Sequence, residues 1–91
     1  MTELTRAREA IDRLDGEITR LLTQRLVIVD QISDYKARQG AAVHDPAREA
    51  RVIERLTTAC EADFKEDIAL LYQRLFEISR ARQQQRRSPS D

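Results

Sequence analysis

An all-α fold with three helices, the first much longer than the others, is what this sequence predicts, and three observations carry it. The 91 residues include only two Gly and two Pro and no Trp, and they are rich in the helix formers Ala, Leu, Arg, Glu and Gln. Apolar residues step along the first forty positions in alternating threes and fours: Leu4, Ala7, Ile11, Leu14, Ile18, Leu21, then Ile28, Ile32 and Tyr35. That is the spacing of one helix face. Two short joints then punctuate the chain, around Gly40–His44 and Glu61–Asp63.

The spacing predicts a first helix from about Thr5 to Gln39. No proline interrupts it, and Gly16 falls on the face opposite the stripe, where it costs about 1 kcal/mol. At 1.5 Å per residue this is a rod of roughly 50 Å, and Gly40 is a natural left-handed stop. A rod of that length cannot bury its stripe against two shorter helices, so a second copy of the chain is expected to cover it.

Asp45-Pro46 is a helix start, with Asp as the cap and Pro at the first helical position. The second helix then runs to about Cys60, with Val52, Ile53, Leu56 and Cys60 on one face. Asp63, followed three residues later by Glu66, resembles a capping box for the third helix. Ile68, Leu71, Tyr72, Leu75 and Phe76 form the apolar face of that helix. Residues 1–91 are expected to make one domain, with 84–91 a frayed polar tail.

Sixteen basic and sixteen acidic residues cancel, so no whole-molecule field would attract nucleic acid or a membrane surface. Cys60 is the single cysteine, which excludes an internal disulfide and suits a reducing compartment. No apolar run approaches the roughly 20 residues of a membrane span, and the first residues lack a signal-peptide core. A cytoplasmic protein is expected. His44 has no second ligand at metal spacing and reads as a loop histidine, so no metal is expected. Cys60 reads as a small core residue. The basic run Arg80–Arg87 reads as a solvated helix end rather than an anion patch.

Polar residues interrupt the apolar faces, and these carry the functional reading. Arg25 occupies the slot between Leu21 and Ile28, where the stripe calls for a leucine. A guanidinium in a helix–helix core costs several kcal/mol unless an anion meets it. Either an internal carboxylate pairs with it or the anion is a ligand. Lys36 lies eleven residues further, about 20° from the same line on the helix, where it is either a snorkelling surface lysine or a second cation for a small anion. On the third helix the face of Tyr72 and Phe76 continues into Ser79 and Gln83, read either as fraying or as an inward hydrogen-bonding pair. Arg48 and Glu49 share the first turn of the second helix with the Asp45 cap. They serve either as a surface ion pair and a dipole complement, or as partners for a ligand anion and hydroxyl. Arg8 lies about 25 Å from Arg25 along one helix; in an antiparallel dimer the partner's Arg8 reaches the Arg25 region.

The ordered set Arg8, Arg25, Lys36, Asp45, Arg48-Glu49, Ser79 and Gln83, spread over about residues 5–83, resembles the all-helical class of chorismate mutase. Eight polar residues at compatible spacings along three helices and the joint between the first two make the match specific, although each alone is weak. The resemblance implies an intertwined homodimer, a six-helix bundle with two sites and no cofactor. It implies the Claisen rearrangement of chorismate to prephenate, in the branch toward phenylalanine and tyrosine. Arg25, Arg48 and the partner's Arg8 would hold the two carboxylates of the substrate, with help from Ser79. Glu49 and the backbone near Asp45 would hold the ring hydroxyl. Lys36 and Gln83 would donate to the ether oxygen. No general base or nucleophile is needed, because such a reaction is accelerated by freezing one conformer and stabilising charge on that oxygen.

Two other readings use the same residues. An isochorismate-pyruvate lyase, or a 4-amino-4-deoxychorismate mutase, would share the scaffold; Glu49 suits a hydroxyl and an amine alike. A non-catalytic helical dimerisation module would prefer Asn or Leu at position 25 and would leave Lys36, Ser79 and Gln83 without a role. No pattern in the chain marks a larger activating partner enzyme.

Overall fold

The computed structural model describes residues 2–87. Among them the chain forms α1 (Glu3–Gln39), α2 (Pro46–Ala59), a 3-10 turn (Ala62–Phe64) and α3 (Lys65–Arg87). Each boundary has a local cause. α1 begins two residues earlier than the periodicity suggests because the Thr2 hydroxyl caps it, accepting from the Thr5 backbone N–H at 3.1 Å. It ends at Gly40, whose φ of 68° places it in the left-handed region that glycine enters without a Cβ penalty. Asp45 caps α2 through its carboxylate, which accepts from the Arg48 N–H at 3.1 Å, and Pro46 follows at the first helical position.

The second joint differs from the expectation. Asp63 lies inside the 3-10 turn that precedes Lys65, so it does not occupy the cap position of α3. The turn is held instead by the backbone, Phe64 N–H donating to the Glu61 carbonyl at 3.0 Å. α3 also continues through residues 84–87, which the sequence reading assigned to a frayed tail; the rest of that tail, 88–91, lies outside the described residues. Arg86 anchors the last turn on α1, its Nη2 standing 2.7 Å from an Asp34 carboxylate oxygen.

α1 and α3 run side by side in the same direction, because Arg25 meets Ser79, Asp30 meets Arg82, and Asp34 meets Arg86. The short second joint folds α2 back along α3, so that Glu49, near the start of α2, meets Arg80. The buried apolar residues are Val29, Val43, Val52 and Phe76, a small core at the point where the three helices meet. On α2 the expected apolar face turns inward, with Val52 buried and Ile53, Leu56 and Cys60 half-buried. On α3 Leu71 departs from its expected place: it is 60% exposed, beside the equally exposed Leu70.

The long stripe of α1 remains open. Leu4, Ile11, Leu14, Ile18, Leu21 and Ile28 are all more than half exposed in the single chain. No described helix is long and apolar enough to cross a membrane.

Candidate active site

The C-terminal half of α1, the start of α2 and the C-terminal half of α3 enclose a cavity of about 360 Å³. Seven of the eight polar residues singled out in the sequence line it: Arg25 and Lys36 from α1, Asp45 from the joint, Arg48 and Glu49 from α2, Ser79 and Gln83 from α3. Val29, Ile32, Val43, Val52 and Phe76 supply the apolar wall. Arg8 is absent from this lining and sits in the exposed N-terminal half of α1.

Arg25 does not continue the outer stripe. Leu21 and Ile28 on either side of it point outward, whereas Arg25 is half-buried against α3. Its guanidinium lies 5.9 Å from the centre of the Tyr72 ring and 5.7 Å from that of Phe76, and Nη1 donates to Ser79 Oγ at 3.2 Å. Among the described residues no carboxylate pairs with it, and it lines the cavity. The aromatic faces offset part of the desolvation cost and leave the charge uncancelled.

Ser79 and Gln83 are 6% and 7% exposed, so the inward reading replaces fraying at this helix end. Among the described residues Gln83 Oε1 has no hydrogen-bond partner. A buried acceptor left unpaired costs about 1–3 kcal/mol, and water or a ligand donor in the cavity would complete it; the amide N–H groups of the same side chain are the donors it can offer a ligand. Lys36 is half-buried, its Nζ 3.5 Å from the Val43 carbonyl. That single long contact leaves two N–H donors for the cavity. Arg48 contributes an exposed guanidinium at the rim.

One charged residue of the lining escaped the sequence reading. Arg80 Nη1 stands 2.6 Å and 2.5 Å from the two carboxylate oxygens of Glu49, and His44 Nε2 stands 3.8 Å from Oε1 of the same group. The signal was present, since Phe76, Ser79, Arg80 and Gln83 are one helical patch at spacings of three and four. Two neighbouring arginines overturn the solvated-end reading in the same way. Arg82 takes both oxygens of Asp30 at 3.1 and 2.6 Å, and Arg86 takes both of Asp34 at 3.1 and 2.7 Å. Hydrogen bonds from these guanidinium groups hold both carboxyls below the usual aspartate range. Asp30/Asp34 and Arg82/Arg86 share an i,i+4 step, so helices running in the same direction pair them rung by rung.

These parts have a definite chemical capacity. Four cations, two carboxylates, a hydroxyl and an amide around a small half-apolar cavity suit a compact anionic molecule, held from several sides at once. The fold and the site together define a small all-helical protein with a cation-rich cavity between its helices.

The model of the chorismate mutase type II family matches residues 7–84, and the chain belongs to that family. It is 29% identical over 85 residues to the chorismate mutase of Methanocaldococcus jannaschii, covering 91% of this chain and 86% of the relative. It is 38% identical over 56 residues to the bifunctional chorismate mutase/prephenate dehydratase of Aquifex aeolicus, covering 62% of this chain and 16% of that protein. The T-protein of Enterobacter agglomerans is 34% identical over 62 residues, 68% of this chain and 17% of the relative. The chain therefore spans most of the first of these and about a sixth of the other two. No solved structure matches it.

Proposed function

We propose that this chain rearranges chorismate to prephenate in the branch toward phenylalanine and tyrosine, without a cofactor, as a cytoplasmic homodimer. The observation that carries the reading is the convergence of seven residues, chosen from the sequence, on one cavity. Arg25 and Arg48 hold the substrate's carboxylates, Ser79 supports the carboxylate on Arg25, and the partner's Arg8 completes the clamp. Glu49 and the Asp45 backbone take the ring hydroxyl.

Lys36 and Gln83 donate to the ether oxygen as its bond to carbon lengthens. Charge grows on that oxygen in the transition state, so donors fixed there bind the transition state more tightly than the substrate. The clamp supplies the other part of the rate by holding a flexible molecule in its reactive conformer. Atoms balance without a proton transfer: one carbon–oxygen bond breaks while one carbon–carbon bond forms in the same molecule.

Dimerisation follows from the open stripe on α1, whose apolar residues need cover that one chain does not offer. The test is loss of chorismate absorbance on adding purified protein, with prephenate identified as the product. Unchanged chorismate after prolonged incubation with the folded dimer sinks the proposal.

A further inference from the structure

We infer that Arg80 is a specificity residue, which makes the Glu49 subsite select a neutral hydroxyl and reject an ammonium at the same ring position. The inference rests on the rearrangement reading above and narrows its substrate class to a diacid that carries a hydroxyl. Glu49 alone would accept a hydrogen bond from either group. It is not alone: Arg80 Nη1 lies within 2.6 Å of both of its oxygens, reaching over from α3, and arginine stays protonated at any working pH. The two side chains are 29% and 22% exposed, so water screens the pair only in part.

The carboxylate's charge is thus balanced before a ligand arrives, while its oxygens keep lone pairs that a hydroxyl can use. An ammonium in the same place brings a second cation within a few ångström of Arg80, and like charges at that range repel. The whole cavity points the same way. Arg25, Lys36, Arg48 and Arg80 against Asp45 and Glu49 leave an excess of two positive charges, which a dicarboxylate with a neutral hydroxyl cancels. An ammonium would lower the ligand's charge to minus one and leave a cation unanswered. The partner's Arg8, in the proposed clamp, raises the excess further, and a ligand of charge minus two is then still favoured over one of minus one.

The experiment compares kcat/KM for chorismate and for 4-amino-4-deoxychorismate in the wild type, Arg80→Gln and Arg80→Lys, each checked for folding by its melting curve. The wild type is expected to prefer chorismate by about tenfold or more, the size of one partly screened like-charge contact. Arg80→Gln should shrink that preference about tenfold, chiefly by lowering KM for the amino compound, and Arg80→Lys should keep most of it. Loss of structure alone would slow both substrates and leave their ratio unchanged. Should Arg80→Gln fail to fold, Glu49→Gln serves instead: it leaves Arg80 uncompensated and should raise the preference for chorismate. An unchanged ratio in Arg80→Gln, or a lowered one in Glu49→Gln, overturns the role of Arg80 and leaves the rearrangement reading intact. A wild type that converts neither compound overturns both.

Discussion

The two halves of α1 share one helix, one apolar period and one set of propensities, yet they meet different environments. From about residue 21 onward the helix lies against α3: Val29 and Ser33 are buried, Arg25 is half-buried, and Asp30 and Asp34 are bound by arginines. From Glu3 to Arg20 every residue except Ala10 is exposed. The difference shows that the apolar period tells which face of a helix is sticky and not what covers it. α3 runs parallel to α1 and covers only the C-terminal half. The same division splits the candidate site, with Arg25 and Lys36 in the covered half and Arg8 in the open one.

The largest expected effect tests whether the open half completes the site of a second copy. Arg8→Ala and Arg25→Ala should each lower kcat/KM by about a hundredfold or more, as loss of one partner from a desolvated charge pair implies. Mixed under conditions of subunit exchange, the two variants form a heterodimer in which one site lacks both arginines and the other keeps both. Activity should return to about a quarter of wild type if exchange is random. Exchange verified by mass spectrometry with no regain of activity would mean that the two halves never meet. Melting temperature should move only a few degrees in Arg25→Ala, because the variant loses a cation–aromatic contact worth about 0.5–1 kcal/mol and a desolvation cost together.

A second break falls on the covered half. Gln83 offers its amide at any pH, so wild-type activity should be nearly flat between about pH 5 and 8 on this account. Gln83→Glu must be protonated to donate, and glutamate's ordinary pKa is about 4.3. Activity of that variant should fall at least about tenfold at pH 8 and climb as the pH drops. A variant with wild-type rates at pH 8 rules out donation from position 83.

Cover over the open half is probed by Ile11→Asp with Ile18→Asp. Burying an isoleucine stabilises by about 1.5–3 kcal/mol, so two aspartates in each chain should turn the expected dimer into a monomer in sedimentation. A wild type that sediments as a monomer with full activity removes the reason for the stripe.

The smallest effect concerns the rungs between α1 and α3. Asp30 and Asp34 titrate below their ordinary range in the folded chain because Arg82 and Arg86 hydrogen-bond to them. A depressed folded pKa stabilises above the unfolded value of about 3.9 and is lost as the pH falls through the lowered one. The double variant Asp30→Asn/Asp34→Asn should therefore melt slightly below wild type at pH 7, and the two curves should converge as the pH falls from about 4 toward 2. Equal melting temperatures at pH 7 would reduce the rungs to surface decoration.

Much of the fold was legible because it is local. The Asp45-Pro46 start, the Gly40 stop and the inward face of Val52 each depend on a few neighbouring residues and an elementary preference of the backbone. The cavity lining was legible for a related reason: a polar residue such as Gln83 on an otherwise apolar helix face needs a partner, whatever the rest of the chain does. Asp63 misled because acidic residues favour several positions around a helix start, and the 3-10 turn moved the boundary past it. Leu71 misled because it lies beside Tyr72 at the edge of the face that continues into Phe76 and Ser79, and apolar character alone does not tell which flank of that face the neighbouring helices cover.

By itself the sequence determined three helices, their caps, an apolar stripe too long for one chain, and the polar residues gathered for a small anion. Only the tertiary structure decided that α3 runs parallel to α1, that Arg25 turns from the stripe toward Ser79, and that Arg80 closes on Glu49. The reason is geometric. Periodicity places a side chain around its own helix axis, whereas its partner depends on the direction and register of a neighbouring helix, which only the packing of whole faces sets.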